Sequence, residues 1–170
     1  DIYELLINTA LKKCVFNGDN FEDLDWRFIT SRLKTKKLYK EVSINRKLSK
    51  LKPYNDFENF YENIKFLVSK NIYSDLILNT YSKENLEKAY QIINPDFDYQ
   101  YDFAGINIMY NQYLSSIEKK IYELPQEAYL LIALTLATAY QKDNQPDFEK
   151  IAEIYEAIAS LKISLATPIL

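Results

Sequence analysis

Apolar and polar positions follow a helical period along most of this chain. From Ile2 to Val15, Leu5, Leu6, Thr9, Ala10 and Lys13 fall at helical spacing, and Leu6, Ala10 and Cys14 form an apolar face. Asn17-Gly18-Asp19-Asn20 breaks that helix. A second helix is predicted from Asp25, carrying Trp26, Ile29, Leu33 and Leu38 inward. Its far end is a basic run, Lys34, Lys36, Lys37 and Lys40. Ser43 to Tyr54 reads as a polar connection. A third helix is predicted from Asp56 to Ser69, with Phe57, Phe60, Tyr61, Ile64 and Leu67 along one stripe.

A short helix follows around Ser74 to Leu78. Ser82, with Glu84 in the first turn, is placed to cap a helix reaching Ile93, and Asn94-Pro95-Asp96 ends it. The aromatic stretch Phe97 to Met109 reads as a loop running into a short helix. Tyr113-Leu114 and Ile121-Tyr122-Glu123, flanking the polar tip Ser115 to Lys120, give a hairpin signal. Pro125 suits the first position of a helix reaching Tyr140. Pro146-Asp147 opens the last helix, with Phe148, Ile151, Tyr155 and Ile158 on one face. Lys162 to Leu170 is expected to be extended, because Thr167 precedes a proline. The pattern predicts a mainly α chain with one small β-hairpin, without internal repeats or low-complexity segments.

Composition narrows the chemistry. At 170 residues the chain suffices for one domain or two small ones. A net charge of −3 argues against a general nucleic-acid binder. There is no His, which removes the commonest general base and every His metal site. The single cysteine, Cys14, excludes an internal disulfide and the common thiolate zinc cages. It reads as a buried helix thiol in a reducing, cytoplasmic compartment. Only two glycines occur, fewer than hairpin turns and Gly-rich phosphate loops ordinarily use. Fifteen tyrosines suggest many half-buried rings with wet hydroxyls. Asp96, Asp98 and Asp102 lack the glycine and terminal Glu of a calcium loop. The longest apolar stretch, Ala128 to Tyr140, is shorter than the ~20 residues of a membrane span and reads as a core helix. The chain opens on a helical pattern without an initiator Met, as a piece of a longer protein would.

Several segments carry a family resemblance when read in order. They are YDFAGINIMYNQYL, a short polar tip, IYELPQEAYLLIALTLA, and, after a gap, IYEAIASLKISLATPIL. This succession resembles the large subunit of class I ribonucleotide reductases. There an aromatic-Gly segment and a strand lead to Glu-x-Pro-Gln opening an apolar helix, and a later helix ends in a Ser/Thr-Pro segment. More loosely, IYELLINTALKK and DLDWRFITSRLKTKKLYKEV resemble the last two helices of that family's ATP cone.

The resemblance implies a remnant of a cone-like segment over residues 1–52 and the family's helical N-terminal domain over 53–170. It also implies that the catalytic α/β barrel and the redox cysteines are absent here, so that the chain alone is expected to be inactive. By resemblance Thr167 matches a Ser/Thr position near the substrate diphosphate, and Lys40 matches a cone lysine that would face ATP or dATP. Read without it, Thr167 is an extended residue before proline and the lysine run is a solvated helix end. Tyr3, where cones often carry a polar residue, departs from the cone pattern. No cofactor is expected in this chain, since the family's metal and radical reside in the small subunit. The implied partners are the remainder of the large subunit, the radical-generating small subunit and a ribonucleoside diphosphate, with neither nucleic acid nor membrane. A stand-alone helical interaction module is the rival reading.

Overall fold

The structure, a computed structural model, describes residues 1–14, 24–48, 53–141 and 145–163. Its helices are α1 (Ile2–Leu11), α2 (Leu24–Asn45), α3 (Phe57–Ser69), α4 (Leu76–Thr80), α5 (Lys83–Tyr90), α6 (Phe103–Ile108), α7 (Pro125–Ala137) and α8 (Phe148–Ala159). A 3-10 helix, Pro95–Gln100, precedes α6, and a π-turn, Met109–Tyr113, continues it. Between α6 and α7 lies a hairpin of β1 (Ser116–Ile117) and β2 (Lys120–Ile121), in which Ser116 faces Ile121 and Ile117 faces Lys120. The fold is mainly α with one small antiparallel hairpin, as the pattern predicts. Among the described residues no helix is long and apolar enough to cross a membrane.

The predicted cap at Ser82 forms, and three aspartates cap their helices in the same way. Asp56, Ser82, Asp102 and Asp147 each accept a hydrogen bond from a backbone N–H three residues on, at 3.0, 3.1, 2.7 and 2.9 Å. Pro125 takes the first position of α7. This helix is the centre of the molecule: Leu130, Ala133 and Leu134 have no exposed surface. Against it α8 buries Ile151, Tyr155 and Ile158, each side chain contributing roughly 1.5–3 kcal/mol by leaving water.

Several expectations need correction. On α1 the inward residues are Ile7 and Ala10, while Leu6 is exposed, so the predicted face is rotated. The second helix continues to Asn45, taking in the first part of the expected connection. Of the predicted inward set Leu38 is buried, Trp26 and Leu33 are half-buried and Ile29 is exposed. Thr30, Ser31, Thr35, Leu38, Tyr39 and Val42 lie inward, whereas Phe28 and Ile29 are exposed. Thr30 and Thr35 satisfy their hydroxyls on the carbonyls of Trp26 and Ser31, at 2.6 and 3.0 Å. Small, internally bonded side chains thus form much of the buried face of α2.

The helix after Ser82 stops at Tyr90 because its last amides tighten to i−3 bonds, Ile92 to Ala89 at 3.0 Å and Ile93 to Tyr90 at 3.2 Å. The hairpin lies within the polar tip and the adjoining Ile121, and the strands do not reach the expected Tyr113-Leu114 flank. It turns without glycine: Glu118 and Lys119 adopt φ of 50° and 64°, the positive values a tight hairpin requires. The expected extension from Lys162 onward lies largely outside the described residues.

Candidate functional site

The Glu-x-Pro-Gln run at the start of α7 is the polar hub of the fold. Glu123, Gln126 and Glu127 are all buried, and each reaches a different element. A charged or amide group out of water must be hydrogen-bonded or it destabilises the fold. Each of the three has its partners.

Gln126 joins the largest network. Its Nε2 donates to Asp98 at 2.8 Å, and its Oε1 accepts from the Tyr155 hydroxyl at 2.9 Å. Asp98, fully buried, also accepts from the hydroxyls of Tyr39 and Tyr54, each at 2.5 Å. Tyr155 in turn accepts from the Asn94 amide at 2.9 Å. One carboxylate thereby ties α2, the loop before α3, the 3-10 helix, α7 and α8 together. Burial pushes the Asp98 carboxyl above the usual carboxylate range, against the three donors that favour its charge. Both tyrosine hydroxyls are held well above their ordinary range, first by burial and then by the Asp98 charge.

Glu127 pairs with Arg46. Arg46 NH1 donates to Glu127 Oε1 at 3.0 Å, and NH2 pairs with Oε2. Through Nε the same guanidinium binds the Tyr122 carbonyl at 2.7 Å, which also accepts from Asn63 Nδ2 at 2.8 Å. Asn45 Nδ2 holds the Ile121 carbonyl at 2.8 Å. The C-terminal end of α2, expected to be a polar linker, is therefore what clamps the hairpin's second strand.

Glu123 accepts from the Tyr73 hydroxyl and, at 2.9 Å, from the Ser115 amide. Burial pushes its carboxyl up to about 8. It borders a cavity of about 230 Å³ whose walls include Ile77, Met109, Leu131 and Ile132, with Leu76 and Leu136 at the rim.

The tyrosines are more buried than expected. Tyr39, Tyr54, Tyr81, Tyr90, Tyr101, Tyr129 and Tyr155 are buried, and the hydroxyls of Tyr39, Tyr54, Tyr81, Tyr101, Tyr129 and Tyr155 bond to interior partners. Tyr101 and Tyr129 meet hydroxyl to hydroxyl at 2.5 Å. Gly105 makes room here: a Cβ at this position would lie 3.0 Å from the Tyr101 ring.

The lysine run does not gather into one basic patch, and it is not a solvated helix end. It lies mid-helix, because α2 continues past it. Lys34 and Lys37 are buried. Lys34 Nζ stands 3.6 Å from the centre of the Tyr110 ring, and Lys37 pairs with Glu4 and, at 3.4 Å, with Glu41. Desolvation lowers the Lys34 ammonium from its ordinary value, while Glu4 and Glu41 hold that of Lys37 up against the same burial. Tyr110 closes the cluster by donating to Glu41 at 2.5 Å, and burial with that carboxylate pushes its hydroxyl up to about 12. Lys40 faces away and is exposed, its ammonium 5.5 Å from the Tyr3 ring.

Thr167 lies outside the described residues. Cys14 is only half-buried, its thiol 3.6 Å from the Ala10 carbonyl. Asp96, Asp98 and Asp102 diverge into an exposed residue, a buried network member and a helix cap. Among the described residues no three His, Cys, Asp or Glu side chains are placed to hold a metal ion.

Residues 99–170 match the family model of the ribonucleotide reductase all-alpha domain. The whole chain is 34% identical to the ribonucleoside-diphosphate reductase subunit alpha of Synechocystis sp. over 170 residues, 20% of that protein. It is 32% identical over 172 residues to the subunit alpha of Helicobacter pylori strain J99, 19% of its length. To ribonucleoside-diphosphate reductase 1 subunit alpha of Escherichia coli it is 27% identical over 174 residues, 20% of that protein. The chain thus spans about a fifth of the length of these relatives. Helical architecture, family model and end-to-end similarity agree: the chain belongs to the ribonucleotide reductase large-subunit family, of which it carries an N-terminal region.

Proposed function

We propose that this chain is the helical scaffold on which a ribonucleoside-diphosphate reductase large subunit builds one lip of its substrate site. The observation that carries this reading is the similarity over the full chain to subunits of that name, with the all-alpha family model covering α6 to α8. Residues 1–52 are the end of a cone-like segment and residues 53–170 the helical domain proper. The buried hub centred on Gln126 and Glu127 gives the region from Pro125 to Ala159 a rigid base. A rigid base is what a substrate-contacting segment needs if it is to hold an anion in one place. The Ser/Thr-Pro segment at Thr167 then presents a hydroxyl and backbone amides to the diphosphate of the nucleotide. Reduction itself proceeds elsewhere in the large subunit, with the radical supplied by a metal-containing small subunit in a reducing, cytoplasmic setting.

ATP or dATP would meet an exposed cation here, Lys40. The ammonium of Lys40 stands beside the Tyr3 ring, and Lys34 and Lys37 are committed to Glu4, Glu41 and Tyr110.

The test is a chimera. The corresponding N-terminal region of the Synechocystis subunit alpha is replaced by this chain, and reduction of a ribonucleoside diphosphate is assayed with the small subunit and a dithiol. Retained turnover is expected. A soluble, folded chimera with no turnover, beside an active parent, would refute the reading.

A further inference from the structure

The cavity beside Glu123 is too small for a nucleotide or cofactor. At about 230 Å³ it falls below the ~300–1,000 Å³ of ordinary small-molecule sites and suits a single side chain. Its walls are apolar, from Ile77, Met109, Leu131 and Ile132. Its rim carries two large exposed side chains, Leu76 at 42% and Leu136 at 40%. Glu123, a residue only 4% exposed, supplies a carboxyl. Among the described residues no lysine or arginine forms an ion pair with it, since the nearby Arg46 is committed to Glu127. Tyr73 and the Ser115 amide occupy only part of its accepting capacity.

Buried carboxylates are ordinarily paired. An apolar slot with an acid beside it and an apolar rim matches an aliphatic stem that ends in a cation. We propose that this cavity is the seat of a basic side chain from the remainder of the large subunit. Its stem lies on Met109, Leu131 and Ile132, its charge lies on the Glu123 carboxyl, and the neighbouring apolar surface covers Leu76 and Leu136. The choice of occupant rests on the reading above, because the relatives carry about four fifths of their length outside the matched region. Burial holds this carboxyl at about 8, so a cation that arrives there also draws off its proton.

Met109 lines the cavity and is the chain's single methionine, so a 13C-methyl label reports on this site alone. The probes are n-butylammonium and its uncharged counterpart n-butanol, titrated into the chain at pH 7. The ammonium should shift the Met109 methyl signal and bind at least about tenfold more weakly to Glu123→Gln, a difference near 1.4 kcal/mol. Butanol binding should not change. Leu136→Lys, placed at the exposed rim so that folding is not at stake, should weaken the ammonium and spare the alcohol. Equal response of both variants to the two probes would overturn the cation site. In the complete large subunit, with the Met109 signal assigned by its loss in Met109→Leu, butylammonium should leave that signal unmoved because the seat is taken. A signal that still titrates there would overturn the occupant. Failure of the reductase reading would show separately, as a folded chimera without turnover and with the butylammonium result intact.

Discussion

Arg46 and Glu127 form an ion pair almost out of reach of water, with 5% and 3% of their side chains exposed. The pair joins the C-terminal end of α2 to the first turn of α7, and Glu127 also caps its own helix by accepting from the Leu124 amide at 3.2 Å. Removing one partner strands the other charge in the interior. Arg46→Leu should therefore lower stability by roughly 3–5 kcal/mol, whereas Arg46→Leu combined with Glu127→Leu should cost clearly less than the two single changes added together. Urea denaturation of the three variants decides it. Additive losses would mean that the two charges are independent.

Tyr54→Phe tests the Asp98 network. It deletes one donor to a fully buried carboxylate and leaves the ring packing unchanged. A loss of about 1–3 kcal/mol is expected, the range for leaving a buried polar group short of a partner. Tyr61→Phe, on a half-buried ring outside the network, should cost under about 0.5 kcal/mol. Similar values for both would show that the hydroxyl of Tyr54 contributes little.

The chain should be more stable in mild acid than in mild base. Glu123 ionises near 4.5 when unfolded and at about 8 when folded. Below about 4.5 both states hold the proton; between 4.5 and 8 only the folded state does, so rising pH favours unfolding until the folded carboxyl also ionises. Burial raises Asp98 as well, which acts in the same direction. Stability should fall on the order of 2 kcal/mol or more across this window, at a limiting slope of about 1.4 kcal/mol for each pH step. Glu123→Gln should remove most of that slope. Denaturation midpoints at pH 5 and pH 8 measure it, and a wild-type slope surviving the substitution would assign the effect to another group.

The hairpin turn is an easy place to gain stability. Replacing Glu118-Lys119 with Asn-Gly suits two consecutive positive φ values and relieves a left-handed strain of roughly 1–2 kcal/mol per residue. Thermal melting should shift upward by a few degrees. No shift would mean that the two residues are held left-handed by contacts worth as much as the strain.

For Thr167 the measurement belongs in the complete large subunit. Thr167→Val keeps size and branching and deletes the hydroxyl. If that oxygen holds the substrate diphosphate, KM for the nucleotide should rise by one to two decades, the equivalent of about 1.5–3 kcal/mol for a bond to a charged group. Wild-type KM and kcat together would show that Thr167 does not hold the substrate diphosphate.

What was legible in the sequence depended on where apolar side chains make the buried face. The stripes Phe57–Phe60–Ile64–Leu67 and Ile151–Tyr155–Ile158 are aromatic and aliphatic, and both helices lie where the pattern puts them. On α2 the apolar pattern misleads in part: Leu38 is inside as expected, but so are Thr30, Ser31 and Thr35, while Ile29 is exposed. The Glu-x-Pro-Gln run could be picked out as a family feature. Its physical role could not, because the partners of Glu123, Gln126 and Glu127 include Tyr73, Asp98 and Arg46, residues 50, 28 and 81 positions away. No local pattern encodes such pairings.

Those separations also dictate when the molecule can be finished. Asp98 waits for Gln126, and Gln126 for Tyr155, while Tyr39 has been in place since early in the chain. A nascent polypeptide leaving the ribosome therefore holds the Gln126 amide oxygen without its Tyr155 partner in a half-built interior until α8 has emerged. Arrest of translation anywhere before Tyr155 should leave a protease-sensitive chain, and release of the last helix should close the network in a single cooperative event.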